Sequence, residues 1–473
     1  MKREASAERR CSERRFAAML AAAWLVFAAY VYIPDIGRGF VKDDFHWIEA
    51  GQQTLTHPAD GLMPSHSDFF RPLIAATFAA DFAAHGLNPQ WYGYENFLLY
   101  MACALALWRL GRAAGLTANG AALASFVWAV NPHGINMAVI WISGRTALCL
   151  TLFALIAGTA TLRRQYLVAS AALACALAAK EEAVLLPFVL TAWVVLLMRG
   201  SEVLSIPEGH GLHGRERWRM AAALFGPLVV YCIVRMQSAA IGPRTAPAYY
   251  QFTFAPAAVL RNALEYLDRG VTASLAVAAL ALLLWGARPA LDASRRRLLA
   301  AAACWFAAGY ALTVFLPVRS SLYAVFPSVG AAIACAAVAE AAAGASTRRA
   351  WMPLGAAAGA LVVALSPIYS ARNDRWVEPA RLSQRTLTIV AGRLRDRAVD
   401  GTVVLADGPS VEPTFTQAFG VFARDAIRLE TGRPFDAWID PPPPDWQLAG
   451  IRPPGAVQAR FELHHGAVVE AIR

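Results

Sequence analysis

The sequence predicts a mainly α-helical, polytopic membrane protein of about 11 transmembrane helices followed by a small α+β C-terminal domain. Three observations carry that expectation. Of the 473 residues, 57% are hydrophobic and only 16% are charged, a balance outside that of soluble domains. Apolar runs close to the roughly 18 to 20 residues that cross a bilayer recur from Phe16 to Ser366, separated by short polar breaks. Beyond Ser366 such runs stop.

The net charge of +10 would suit a nucleic-acid partner, but its location argues against one. Ser370 to Arg473 contains 13 Lys/Arg and 13 Asp/Glu, so the excess lies among the apolar runs, where it orients helices. Cys103, Cys149, Cys175, Cys232, Cys304 and Cys335 fall inside or beside apolar runs, and Cys11 precedes the first. This pattern gives neither a disulfide framework nor a CxxC metal signature, so buried thiols acting as small hydrophobes are expected.

Taken in order, the basic stretch Met1 to Arg15 feeds the run Phe16 to Ile33. With many apolar runs following and no convincing small-residue cleavage site, it reads as an uncleaved signal anchor. Short cytoplasmic loops collect Lys and Arg. That rule puts Lys2 to Arg15, Arg109/Arg112, Arg163/Arg164, Arg199 to Arg219, Arg288 to Arg297 and Arg348/Arg349 inside. The breaks Pro34 to Phe70, Asn131 to Asn136, Lys180 to Glu182, Arg235 to Arg269 and Val318 to Ser321 then face out. The expected spans are 16–33, 92–108, 117–131, 146–162, 166–179, 183–198, 219–234, 270–287, 298–316, 322–343 and 350–368. Residues 1–15 become a cytoplasmic N-terminus, 16–368 a transmembrane domain with an outer loop at 34–91, and 369–473 an extracytoplasmic C-terminal domain. The expected location is the bacterial inner (cytoplasmic) membrane.

In the first outer loop, Pro72 to Ala84 is apolar but short for a span and contains Asp81. Helices lying in or dipping into the interface are expected there, roofing Asp43 and Asp44. The second long outer loop holds Pro243, Pro247, Tyr249, Tyr250 and Phe252 and reads either as a substrate gate or as an irregular connection. After Ser366-Pro367 the chain turns polar. Thr386 to Arg397 reads as an amphipathic helix, Gly401 to Asp407 as a buried strand ending in a turn, and Pro441 to Pro444 as a stiff polyproline element. No catalytic motif stands out in this tail.

The stretch that carries chemistry is Gly39 to His46, with Asp43 and Asp44 just beyond the first span. Alone, an acidic dipeptide is usually an exposed turn or an ion pair, here with Lys42. Its company points further. Arg71 before Pro72, Arg145 after Trp141-Ile142-Ser143-Gly144, Lys180 before Glu181-Glu182, and Arg319 near Tyr323 all face the same predicted leaflet. A charge at mid-membrane costs about 2.5 to 3.5 kcal/mol, and snorkelling accounts for an interfacial cation singly. Four cations and two carboxylates converging on one face call for a ligand.

A lipid-phosphate sugar donor needs such a set. Arg71, Arg145, Lys180 and Arg319 are the candidate phosphate-binding cations, because guanidinium forks hold a phosphate leaving group and stabilise its charge. Asp43 or Asp44 is the candidate catalytic base that takes the acceptor hydroxyl's proton. A phosphate leaves as a stable anion, so one base suffices where glycosidases need a second carboxyl, and in-line attack inverts the anomeric centre. Glu95, Asn96, Trp141, Glu181 and Tyr323 are candidates for the substrate pocket. No certain cofactor is implied; the second aspartate either holds a divalent metal ion or orients the acceptor, and spacing leaves both open. His133 reads as a satisfied interfacial histidine.

The same residues carry a resemblance. The early Asp-Asp, Arg71-Pro72-Leu73, Tyr94-Glu95-Asn96-Phe97-Leu98-Leu99, Asn131-Pro132, Trp141-Ile142-Ser143-Gly144-Arg145, Ala179-Lys180-Glu181 and the stretch Arg319 to Pro327 resemble the GT-C superfamily of polyprenyl-phosphate-sugar-dependent glycosyltransferases. The branch most similar is that of protein O-mannosyltransferases and the membrane half of transmembrane TPR mannosyltransferases. The resemblance implies a GT-C-like fold over Phe16 to Ser366 and an undecaprenyl- or dolichyl-phosphate sugar as donor. It also implies Asp43 or Asp44 as the acid-base residue, with Arg145, Lys180 and Arg319 near the donor. The chain departs from the pattern at Asn131-Pro132 and Asn136, where relatives have His-Pro followed by His and Glu, and at Tyr94 and Tyr100 in place of a histidine. No TPR repeats follow.

Two other classes compete. A transporter or flippase of lipid-linked saccharide would show internal pseudo-symmetry and ionisable groups near mid-membrane, whereas here the ionisable groups gather at one face. A non-catalytic envelope-assembly scaffold would tolerate Asp43→Asn and Asp44→Asn.

Overall fold

The computed structural model describes residues 2–59, 69–198, 214–237, 250–285, 291–344, 351–395, 401–408, 412–444, 455, 457–464 and 466–471. Arg348, Arg349 and the Pro243, Pro247 and Tyr249 part of the second outer loop lie outside them. The helices described below are α1 Lys2–Tyr32, α2 Asp43–Thr56, α3 Pro72–His85, α4 Pro89–Ala113, α5 Ala118–Ala129, α6 Ile135–Ile140, α7 Arg145–Leu162 and α8 Tyr166–Ala179. They continue as α9 Leu186–Met198, α10 Gly214–Met236, α11 Pro256–Trp285, α12 Ala293–Tyr310, α13 Ser328–Ala343 and α14 Trp351–Leu394. The tail adds β1 Thr402–Ala406, α15 Phe415–Phe419, α16 Ala423–Thr431, β2 Asp436–Asp440, β3 Val457–His464 and β4 Ala467–Glu470.

Each of the expected spans falls on one of these helices, and the protein is a polytopic, mainly helical membrane protein. Six segments, Arg15–Asp35, Ile142–Leu162, Glu181–Met198, Gly214–Met236, Pro256–Trp285 and Trp351–Leu394, are long and apolar enough to cross a membrane. Tyr166–Ala179 and Ser328–Ala343 are apolar but shorter. Local chemistry sets several helix starts. Asn88 accepts from the Gln90 amide at 3.2 Å, Thr117 from Gly120 at 3.1 Å and Asp292 from Arg295 at 2.7 Å, each satisfying an amide left open in a first turn. Small residues let helices close up: a Cβ on Gly120 would fall 2.0 Å from Glu340 Oε1. That carboxylate is buried in α13, accepts from the Thr117 amide at 2.7 Å and pairs with Arg295 at 3.0 Å. This buried acid is thus fully answered.

The C-terminal half departs from expectation in one respect. Instead of ending after Ser366-Pro367, α14 runs unbroken for 44 residues with Pro367 and Pro379 inside it, and it absorbs the helix expected at Thr386. At 1.5 Å per residue it is about 66 Å long, roughly twice the hydrocarbon thickness, so its second half stands clear of the bilayer. There it meets a sheet of order β2-β1-β3-β4. The central strand β1 is parallel to β2 and β3, with Val403 opposite Ala437 and Val404 opposite Arg460, while β3 and β4 are antiparallel. All five β1 residues are buried, as expected of an apolar run in the middle of a parallel sheet.

The tail has no core of its own. Leu387, Val390 and Leu394 of α14 share one apolar cluster with Val403, Leu405, Phe415, Phe419 and Phe461 of the tail. Phe45, Trp47 and Ile48 of α2 and Ile74 and Phe78 of α3 belong to the same cluster. The first outer loop, expected to lie on the membrane surface, is therefore sandwiched between the membrane helices and the C-terminal sheet.

Candidate active site at one end of the membrane helices

The acidic pair opens α2, and the loop before it is pinned from two sides. Gly39 has φ +149°, and a Cβ there would lie 2.2 Å from the Ala380 carbonyl of α14. Lys42 has φ 53° and ψ −119°, a conformation that glycine adopts readily and a Cβ-bearing residue does not. Its amide donates to the Ala418 carbonyl of α15 at 2.9 Å, and its ammonium lies 5.6 Å over the Trp376 ring. The tail therefore helps to hold a strained residue directly before Asp43.

The two aspartates have different surroundings. Asp44 is 1% exposed. Its Oδ2 accepts from the Val41 amide at 2.8 Å, and its Oδ1 accepts from both the amide (2.7 Å) and the hydroxyl of Ser143. Burial pushes its carboxyl up to about 7, against the downward pull of the Ser143 and Val41 donors. Asp43 is half-buried; burial raises it above the usual carboxylate value, with His46, Lys42, Arg71 and its own backbone amide pulling it back. Asp44 is thereby occupied as a brace, whereas Asp43 keeps its carboxylate clear of those donors, within electrostatic reach of His46, Lys42 and Arg71.

Behind Asp44 a second brace is fully buried. Asn96 Nδ2 donates to the carbonyls of Ala138 (3.1 Å), Trp141 (3.0 Å) and Ile142 (3.0 Å), fixing the 3-10 turn Ile142–Gly144 that carries Ser143. Asn96 Oδ1 accepts from Arg145 Nε at 3.2 Å. Arg145 is 0% exposed; its Nη1 lies 2.5 Å from Asp81 and 3.7 Å from Glu95, its Nη2 donates to the Tyr92 carbonyl at 3.2 Å, and its guanidinium sits 4.5 Å from the Phe78 ring centroid. Trp141 donates to the Val41 carbonyl at 3.3 Å and stacks on Trp376 with centroids 4.7 Å apart. Asp44, Asn96, Trp141 and Arg145 are therefore parts of a scaffold under the Asp43 loop, with Glu95 at its edge.

Most of the remaining candidate cations gather around two adjacent carboxylates. Arg71 makes a two-pronged ion pair with Glu181, with Nη2 at 2.8 Å and Nε at 3.1 Å from Oε2. Arg235 Nη1 lies 3.5 Å from the same carboxylate's Oε1. Lys180 pairs with Glu182 at 2.7 Å and rests 4.8 Å over the Tyr323 ring. Tyr250, at the described end of the second outer loop, packs edge-on against Phe69 at 5.4 Å, and Phe69 in turn lies 4.4 Å from the Arg71 guanidinium. Farther along, Thr253 donates to the Phe315 carbonyl at 2.8 Å, so this part of the loop is anchored. Two carboxylates thus hold three cations in fixed positions.

No protein-family model matches the sequence, and no curated protein matches it. Among solved structures, the chain is similar to ArnT from Cupriavidus metallidurans bound to undecaprenyl phosphate, at TM-score 0.50 and 11% identity over 88% of this chain and 85% of that one. The fold is GT-C. Two structures of the Archaeoglobus fulgidus oligosaccharyltransferase also match, at TM-scores 0.46 and 0.45 and identities of 12% and 11%. One is a complex with Zn and sulfate; the other is AglB in complex with an inhibitory peptide and a dolichol-phosphate. Each covers 88% of this chain, which spans 61% and 64% of theirs.

Within this GT-C fold the expected site residues divide into two groups. Arg71, Lys180, Glu181 and Tyr323 come together, joined by Arg235, Glu182 and Tyr250, which sequence reasoning left out of the site; Asp43 lies within electrostatic reach of Arg71. Arg145 is buried against Asp81, and Asp44 is saturated. Arg319 pairs with Glu265, which also holds Arg261 at 3.2 Å and Arg269 at 3.1 Å; its link to Lys180 runs through Tyr323, whose ring meets Tyr266 at 6.2 Å. Arg235 was legible only as the edge of a polar break. Asp81 did announce itself, as an acid inside an apolar helix. Both Asp44 oxygens accept protein hydrogen bonds, and no group of three His, Cys, Asp or Glu side chains that could hold a metal ion occurs among the described residues.

Proposed function

We propose that this protein is an inverting membrane glycosyltransferase that moves a sugar from a polyprenyl-phosphate donor to an extracytoplasmic hydroxyl. The observation that carries this reading is the half-buried Asp43 beside the braced Asp44, in a fold shared with ArnT, with Arg71 held close by on Glu181. The undecaprenyl phosphate in the ArnT structure supports the choice of carrier. In the proposed step the acceptor oxygen attacks the anomeric carbon, the bond from that carbon to the phosphate oxygen breaks, and Asp43 takes the hydroxyl proton. Arg71, Arg235 and Lys180 receive the charge that develops on the departing polyprenyl phosphate. Glu181 and Glu182 keep those cations in position, while Asp44 and Arg145 hold the loop that presents Asp43. No step is routed through a metal. The membrane is the bacterial inner membrane, with residues 1–15 cytoplasmic and the C-terminal sheet outside.

The test compares envelope lipid, polysaccharide and protein glycans in a deletion strain complemented with wild type, Asp43→Asn or Asp44→Asn, with membrane insertion followed by blotting. Asp43→Asn is expected to insert normally and to leave the missing sugar missing. Full restoration of that sugar by stably inserted Asp43→Asn rejects the catalytic reading.

A further inference from the structure

A cavity of about 670 Å³ lies where α14, the loop before α2 and the C-terminal tail meet, within the roughly 300 to 1,000 Å³ of small-molecule sites. Lys42, Met137, Ser321, Trp376 and Gln417 line it, each from a different segment of the chain. Those segments are locked together. The Lys42 amide donates to the Ala418 carbonyl at 2.9 Å, Trp141 donates to the Val41 carbonyl at 3.3 Å, and the Trp141 and Trp376 rings stack at 4.7 Å. Gly134, at φ +93°, brings the start of α6 so close to the Ser321 carbonyl that a Cβ there would fall 2.4 Å from it. Packing therefore fixes the walls of the cavity.

The lining carries charges of both signs. Lys42 and Arg375 supply cations, and Asp374, Glu378 and Glu412 supply carboxylates. Glu378 is held by Arg381 at 2.6 Å, and the Lys42 ammonium rests 5.6 Å from the Trp376 ring centroid. Among the described residues, Lys42, Asp374, Arg375 and Glu412 belong to no ion pair. Gln417 Oε1 accepts from the Thr414 amide at 2.9 Å, which leaves the Gln417 NH₂ group as a donor. Two acids, two cations, an amide and the Ser321 hydroxyl thus surround one space.

A ligand of single sign suits only half of this lining: a phosphate is repelled by the carboxylates, and an ammonium by the cations. A hydroxyl donates and accepts at once, so a neutral polyol answers both sets. Trp376 and Met137 add apolar surface for the C–H faces of a sugar ring. Lys42, on the wall, directly precedes Asp43. We propose that this cavity binds the acceptor and that the acceptor is a neutral saccharide, an inference that rests on Asp43 as the base of the transfer. One sugar hydroxyl supplies the attacking oxygen, and its proton passes to Asp43.

The test reads binding by NMR, on full-length protein labelled with [¹³C-methyl]methionine in phosphatidylcholine nanodiscs, free of sugar-based detergent. Met137→Leu identifies the Met137 signal. Met352, 47% exposed and about 36 Å along α14 from Trp376, is the control. The probes are the methyl glycosides of glucose, galactose, mannose, rhamnose and N-acetylglucosamine, with glucose 6-phosphate and spermidine for comparison. At least one glycoside is expected to shift Met137 saturably and leave Met352 unmoved. Asp374→Asn and Glu412→Gln, both at exposed positions that the fold tolerates, are each expected to weaken that binding by roughly tenfold. No shift with any glycoside, an equal shift at Met352, undiminished binding in both variants, or a tighter response to glucose 6-phosphate or spermidine overturns the proposal. Asp43→Asn keeps the two readings apart, because it is expected to lose transfer and keep saccharide binding. Binding that is absent while transfer depends on Asp43 overturns the cavity alone; binding that is present while transfer ignores Asp43 overturns the base alone.

Discussion

Asp43 and Asp44 have the same side chain, and their neighbours divide the labour between them. An Asp44→Asn amide keeps only one acceptor oxygen for three donors, so a buried donor is left unmatched at about 1–3 kcal/mol. Thermal unfolding in detergent should show that loss, whereas Asp43→Asn should unfold near the wild-type temperature while transfer drops by roughly 10²- to 10⁴-fold. The pH dependences differ as well. A base whose carboxyl is raised by burial must lose its proton at higher pH than an ordinary aspartate, so the acid limb of kcat/KM is expected above the usual carboxylate range and absent in Asp43→Asn. For Asp44 the linkage concerns stability. Its folded value of about 7 exceeds the ordinary 3.8, so the folded state holds the proton more tightly, and stability should fall as pH rises through that window. Asp44→Asn should flatten the slope. Lys42 supplies a third test at this scale. Lys42→Gly removes the positive-φ strain and Lys42→Ala does not, so the glycine variant should be the more stable of the two by about 1–3 kcal/mol in the same melts.

At the scale of elements, the site depends on close approach between segments far apart in the chain. Gly39→Ala would place a methyl against the Ala380 carbonyl and push α14 away from the loop, at a cost on the order of 1–3 kcal/mol. Loss of the thermal transition's cooperativity, together with faster proteolysis within residues 34–59, would register it; an unchanged melt would contradict the packing described. The helices themselves were readable from the sequence, because a bilayer imposes a length and an apolar composition that survive in a bare string of residues. The convergence of Arg71, Lys180 and Glu181 was also readable, because loops on the same side of a membrane end near one another. The pairing of Arg145 with Asp81, and of Asp44 with Ser143 some hundred residues on, was not, because composition tells which leaflet a charge faces and not which partner it meets. Proline at 367 misled for a similar reason: it removes one helical hydrogen bond and forces a boundary only when nothing else holds the helix together.

For the molecule as a whole, the shared core means that the catalytic loop and the C-terminal sheet cannot be separated without exposing aromatic surface. Deleting residues 401–473 should leave the membrane helices inserted but uncover Phe45, Trp47 and Ile48, making α2 protease-sensitive and transfer undetectable. Retained activity in the truncated protein would show that the sheet is an appendage. The same core has a consequence for synthesis. Ribosomes make α2 early and β1 to β3 late, so the acidic loop reaches the outer face long before the strands that steady it exist. Until they arrive, Lys42 lacks its Ala418 carbonyl and Asp43 has no fixed orientation. Under the proposed function, a nascent chain would then not consume a lipid-linked donor prematurely, and catalytic competence would be a late event in the protein's own assembly.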